Sequence, residues 1–192
     1  MELDEHLLSG PEIEALARRI DRSVVLVGMM GVGKTTVGRK LAATLHMPFT
    51  DADEAIQEAA QLTIPEIFDR HGEADFRDGE RRVIARLIGE KGQQRRVIAT
   101  GGGAFCNAST RALILERAIT VWLDSDIEVL VERTARKDNR PLLRQGDPRE
   151  ILTRLKAERE QFYSQAPIHV TSGNAAHTRT VAQICKEIDA WL

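Results

Sequence analysis

Gly28-Met29-Met30-Gly31-Val32-Gly33-Lys34-Thr35 has the residue types and the G-x-x-x-x-G-K-S/T spacing of a phosphate cradle. The glycines let the backbone curl until successive N–H groups converge on phosphate oxygens. The end of a following helix adds its positive dipole. Lys34 is placed to reach the β and γ phosphates and the Thr35 hydroxyl to ligate magnesium, with Gly31, Val32, Gly33 and Thr36 completing the nucleotide-binding set. A plain glycine-rich turn fits less well, because Ser23 to Val27 reads as a strand buried on both faces. On the other side, Val37, Leu41 and Leu45 recur four residues apart as one face of a helix. The chain therefore binds a nucleoside triphosphate, as an enzyme, a switch or a motor.

A guanine-reading Asn-Lys-x-Asp tetrapeptide is absent from the sequence, which removes most of the weight from a switch. Thr120-Val121-Trp122-Leu123-Asp124 resembles a strand ending in an acidic magnesium ligand, but Asp124 directly precedes a helical segment and reads first as an N-cap. Val97 to Thr100 runs into Gly101-Gly102-Gly103. Three glycines in a row are costly in conformational entropy and point to close backbone approach to a ligand, with a flexible turn as the alternative. Phe49-Thr50-Asp51-Ala52-Asp53 holds two carboxylates two residues apart. On an extended segment both face one space, where one supports hydrated magnesium and the other orients an acceptor hydroxyl. The alternative is a pair of capping or solvated acids.

The ordered set resembles the shikimate kinase family of P-loop kinases over roughly residues 23 to 175. After Gly28 to Thr35 come Asp51-x-Asp53, Phe76-Arg77-x-x-Glu80, Gly101-Gly102-Gly103, Arg140-Pro141-Leu142-Leu143, and Arg159 with Tyr163. The resemblance implies ATP and shikimate as substrates and Mg2+ as cofactor. Asp53 would bind the ring hydroxyls and act as base, Arg77 and Arg159 would hold the carboxylate, and Gly101, Gly102 and Gly103 would give close contact. Asp51 would support the metal beside Thr35, Lys34 and Arg140 would assist transfer, and Arg133 would lie along the adenine. It also implies a three-layer P-loop NTPase fold with a central five-stranded parallel sheet, a helical substrate-binding region at about 54–90 and a lid at about 135–147. Paired guanidinium forks suit a carboxylate, whereas a neutral sugar would leave them unpaired. Gluconate-type P-loop kinases share loop, lid and a carboxylate substrate, and Asp51-x-Asp53 with Arg77 and Arg159 favours shikimate over gluconate. A catalytically silent nucleotide-binding module is a further alternative, disfavoured by the intact set.

These groups need a scaffold, and 192 residues suit one α/β domain. Short β-rich runs alternate with longer helical ones, which argues for a mainly parallel sheet. Helices are expected from Ser9 through Ile20, at 54–60, 64–71, 77–90, 109–116, 126–134, 148–163 and 178–191, and a further strand at Ile168 to Thr171. Residues 1–22 form an N-terminal extension to a kinase domain at 23–192. Ala135 to Asp147, with Arg136, Lys137, Arg140 and Arg144, reads as a mobile basic loop. Arg81, Arg82 and Arg86 read as the wet face of a helix.

A net charge of −2, 42% hydrophobic and 29% charged residues give no pull toward nucleic acid or lipid. The acidic start and the lack of a long apolar stretch predict a cytoplasmic protein without a membrane span, expected to be a monomer. Cys106 and Cys185 have neither metal-ligand spacing nor the number for a disulfide framework, and read as small buried thiols.

Overall fold

Runs of β-branched and apolar residues become strands β1 (Val24–Val27), β2 (Phe49–Asp51), β3 (Val97–Ala99), β4 (Ile119–Asp124) and β5 (Ile168–Thr171) of a computed structural model. It describes residues 8–89, 94–135, 146–173 and 177–192. The strands form one five-stranded sheet in the order β2-β3-β1-β4-β5, every neighbouring pair parallel. Central β1 pairs Val25 with Ile98 on one side and Thr120 on the other, and all four of its residues are buried. Burial on both faces is why the run is continuously apolar rather than alternating.

Parallel pairing sends each connection over a face of the sheet. The helices are α1 (Gly10–Arg19), α2 (Lys34–Thr44), α3 (Ala52–Ala60), α4 (Ile64–Ile88), α5 (Ala108–Arg117), α6 (Ile127–Ala135), α7 (Pro148–Tyr163) and α8 (His177–Trp191). Helix α2 packs on β1, β3 and α8, while α5 packs on β4 and α4. Val37 and Leu41 of α2 are fully buried, as their spacing predicts. Leu16 and Ile20, at the end of the N-terminal segment, lie in the same core, and Arg19 holds Asp189 of α8 at 2.5 Å.

The two helices expected at 64–71 and 77–90 form one element, α4, broken at Gly72, whose φ of 78° and ψ of 176° leave the helical region. Its start is fixed by Thr63, which accepts from Glu66 N–H while Glu66 returns a carboxylate to the Thr63 N–H at 2.8 Å. Helices α3 and α4 enclose a separate small cluster of Ile56, Ile67 and Phe76. The expected end of this region at residue 90, residues 136–145 of the expected lid and Met1 to residue 7 lie outside the described residues. No described helix is long and apolar enough to cross a membrane.

The loops that follow β1, β2 and β3 leave the same carboxyl edge, which is where open parallel sheets bind ligands. The first turn there is tight. A Cβ on Gly28 would lie 2.2 Å from the backbone oxygen of Leu123, and Gly28 has φ of 136°. Gly28→Ala must therefore displace either the loop or β4. We expect it to destabilise the fold by about 1–3 kcal/mol, read as a lowered denaturation midpoint, and to weaken nucleotide binding in a titration.

Candidate active site

The phosphate cradle emerges from β1 and ends in the first turn of α2, whose N–H groups have no partners within the helix. Gly33 takes a φ of 103° as N-cap and Lys34 is the first helical residue. Lys34 Nζ donates to the carbonyls of Gly28 at 2.7 Å and Met29 at 2.9 Å, which pins the ammonium over the loop. Gly31 also turns through positive φ, and Thr36 is exposed on the first turn. On the far side, Arg133 of α6 donates to the carbonyls of Val32 at 2.9 Å and Gly173 at 2.7 Å. Its guanidinium thus bridges the cradle and the loop after β5, beside Gly33.

The acidic pair is brought together differently from the expectation of two residues on one strand. Asp51 ends β2 and is the N-cap of α3, whereas Asp53 is already in that helix. Asp51 accepts from the Asp53 N–H at 3.1 Å and from the Thr35 hydroxyl at 2.8 Å. Capping and site-building are therefore one arrangement here, not alternatives. Burial, reinforced by the negative charge of Asp51, pushes the Asp53 carboxyl above its ordinary pKa, while Lys34 and Arg77 pull it back.

Asp53 lies against the triple glycine. A Cβ on Gly101 would come within 2.7 Å of Asp53 Oδ1, so the bare backbone is what admits the carboxylate. Arg77 lies over Gly103, with Nη2 2.8 Å from where its Cβ would be. Helix α4 holds that guanidinium from behind: Nη1 donates to Glu80 at 2.8 Å, and Glu80 is only 1% exposed. Burial pushes the Glu80 carboxyl up and Arg77 opposes it. From α7, Arg159 donates to the Gly102 carbonyl at 3.2 Å, and Tyr163 donates to the same oxygen. Arg77, Arg159, Gly103, Cys106 and Asn107 line a cavity of about 620 Å³.

The structure thus gathers Asp53, Arg77, Gly101, Gly102, Gly103 and Arg159 on one side of Lys34, Thr35 and Asp51, with Arg133 on the other. Arg140 lies outside the described residues. Asp124 is not the N-cap expected of it. Helix α6 starts three residues later, and Asp124 instead holds Lys156 at 2.8 Å, because a carboxylate at the end of β4 faces α7 rather than the turn. Cys185 is buried as expected, but Cys106 is only partly buried and lines the cavity. Arg82 is exposed as read; Arg81 is half-buried at the cavity rim, paired with Asp78 at 2.8 Å. Glu80 and Tyr163 went without a role in the sequence, although each stands at helical spacing, three or four residues, from an assigned arginine.

A family model described as shikimate kinase matches residues 30–189. The chain is 66% identical over its whole length to the whole of a shikimate kinase from Novosphingobium aromaticivorans. It is 49% identical to one from Bradyrhizobium diazoefficiens, over 96% of this chain and 87% of that one. A solved shikimate kinase from Acinetobacter baumannii, in complex with shikimate, superposes with a TM-score of 0.79 at 36% identity, over 95% of this chain and 98% of that one. With the family model spanning most of its length and a relative matching it end to end, the chain belongs to the shikimate kinase family.

Proposed function

We infer that the protein transfers the γ-phosphate of ATP to the 3-hydroxyl of shikimate, giving shikimate 3-phosphate and ADP on the route to chorismate and the aromatic amino acids. The observation that carries the reading is the meeting of two site halves at Asp53: a phosphate cradle with Lys34 on one side, and two arginines at a glycine edge on the other. One side suits a triphosphate, the other a small hydroxylated carboxylate. Release of ADP by the purified protein, with ATP and Mg2+, is expected with shikimate and not with gluconate or without acceptor.

Phosphoryl transfer depends on positioning and charge neutralisation more than on covalent chemistry by the protein. Lys34 is already aimed along the cradle and supplies positive charge at the transferring group. Asp53 accepts the proton of the attacking hydroxyl, a role suited to a carboxyl whose pKa burial raises above its ordinary value. Arg77 and Arg159 hold the acceptor carboxylate, and the carbonyl-anchored Gly102 with Gly101 and Gly103 shapes the contact. Arg133 and the cradle residues Gly31, Val32, Gly33, Thr35 and Thr36 hold the nucleotide, and Arg140 is assigned to the phosphates from the 135–147 lid. Residues 54–89 of α3 and α4 form the acceptor-binding region, and the first 22 residues extend the kinase domain at 23–192.

Thr35 and Asp51 present hard oxygens 2.8 Å apart at the phosphate end of the site. The described residues hold no group of three or more His, Cys, Asp or Glu that could cage a metal. That donor set fits Mg2+, which keeps several waters and leans on one or two protein oxygens plus phosphate. Bound there, the ion would neutralise phosphate charge. Thr35→Val is expected to abolish the Mg2+ dependence of ATP affinity in calorimetry. The working unit is taken as a monomer, and use of ATP accords with a cytoplasmic setting.

Asp53→Asn is expected to lower kcat by roughly 100-fold or more with ATP binding intact. The same change should stabilise the protein at neutral pH. A raised pKa means that ionising Asp53 costs more in the folded state, a cost present above that pKa and absent below the ordinary carboxylate range, where the group is neutral in both states. The gain in Tm should therefore shrink as pH falls from the raised pKa of Asp53 to the ordinary carboxylate range. Arg77→Ala is expected to raise the KM for shikimate by at least about tenfold while leaving that for ATP within a factor of two; an effect confined to ATP would contradict the carboxylate assignment.

A further inference from the structure

Tyr163 ends α7 and is 1% exposed. Its ring stacks on Trp122 of β4, with centroids 6.1 Å apart. Its hydroxyl donates to the carbonyl of Gly102, the same oxygen that receives Arg159 Nη1 at 3.2 Å. A carbonyl has two lone pairs. Both are used here by side chains one helical turn apart, so the middle glycine of the triple-glycine edge is fastened to α7 at a single atom. The Cys106 thiol and Arg159 lie close enough to the hydroxyl to perturb it, which marks the phenol as a node rather than an isolated anchor.

We propose that Tyr163 is a positioning residue for acceptor binding: by holding the Gly102 carbonyl it fixes the glycine edge and aims the Arg159 guanidinium that shares that oxygen. The phenol is buried behind the glycine edge and is not among the residues that line the cavity. Without it the carbonyl keeps one donor, the arginine, which is then drawn toward the carbonyl and away from the acceptor. The proposal rests on the assignment of Arg159 to the acceptor carboxylate.

Tyr163→Phe keeps the ring and its packing on Trp122 and deletes only the hydroxyl. The expected result is a KM for shikimate raised about tenfold, the scale of losing a supporting hydrogen bond behind a binding group, with the KM for ATP within twofold. An unchanged shikimate KM, or parallel rises for both substrates, would overturn the proposal. In an Arg159→Lys background the tyrosine change should add little, because the two share one acceptor, and fully multiplicative effects would contradict it. An Arg159→Lys enzyme with unaltered shikimate KM removes the arginine assignment and the proposal together, whereas failure of Tyr163→Phe alone removes only the proposal. The chain contains a single tyrosine, so biosynthetic incorporation of 3-fluorotyrosine reports on this hydroxyl alone, without any substitution. Shikimate should shift its fluorine resonance and ADP should not; a resonance indifferent to saturating shikimate rejects the role even where Tyr163→Phe does not fold.

Discussion

Asp53 occupies space that any side chain on Gly101 would take, and that contact sets the position of nearly everything else in the site. A carboxylate so placed is desolvated, and Asp51 next to it adds repulsion. Both effects disfavour its ionised form, the one the proposed role as base requires. Lys34 and Arg77 compensate from opposite sides. Each is in turn held by its own scaffold: Lys34 by the carbonyls of Gly28 and Met29, Arg77 by buried Glu80. The phosphate cradle and Arg77, proposed to hold the acceptor, therefore meet electrostatically at one group, although they come from different elements.

The sheet makes that meeting possible. Parallel strands in the order β2-β3-β1-β4-β5 bring the cradle after β1, the acidic pair after β2 and the glycines after β3 to one edge. Each loop is anchored by backbone groups rather than by contacts between loops alone. Thr100 donates through its hydroxyl to Leu26 O at 3.0 Å, tying the glycine edge to the strand that launches the cradle. Ser172 donates to the Val32 carbonyl at 3.2 Å from the β5 side, the same carbonyl that Arg133 reaches. Preorganisation of this kind places charge before the reaction needs it.

The cradle was legible in the sequence because its spacing is a backbone requirement, and the strands because full burial leaves continuous apolar runs such as Val24 to Val27. The helices expected to start at 64 and 148 do start there, and the structure supplies the reason in the caps formed by Thr63 and Asp147, each a local hydrogen bond. Asp51 and Asp53 do come together as a pair, but on a different backbone from the one the sequence suggests: a strand end and a helix start share the same residues, and periodicity does not separate them. Asp124 reads as a cap because its partner is out of local reach: it forms an ion pair with Lys156, more than thirty positions away. The surroundings of Cys106 and Tyr163 depend on what α5, α7 and the glycine edge bring beside them. Long-range contacts of that kind leave no local trace beyond the helical spacing of Tyr163 from Arg159.

Whether ionisation of Asp53 gates transfer, as proposed, is tested most directly by the dependence of kcat/KM for shikimate on pH, since that parameter reports ionisations of the free enzyme. An acid limb governed by a single group titrating above the ordinary carboxylate range is expected, as burial beside Asp51 demands, together with loss of that limb from the residual activity of Asp53→Asn. A profile flat into the ordinary carboxylate range, or an acid limb that persists unchanged in Asp53→Asn, would contradict it.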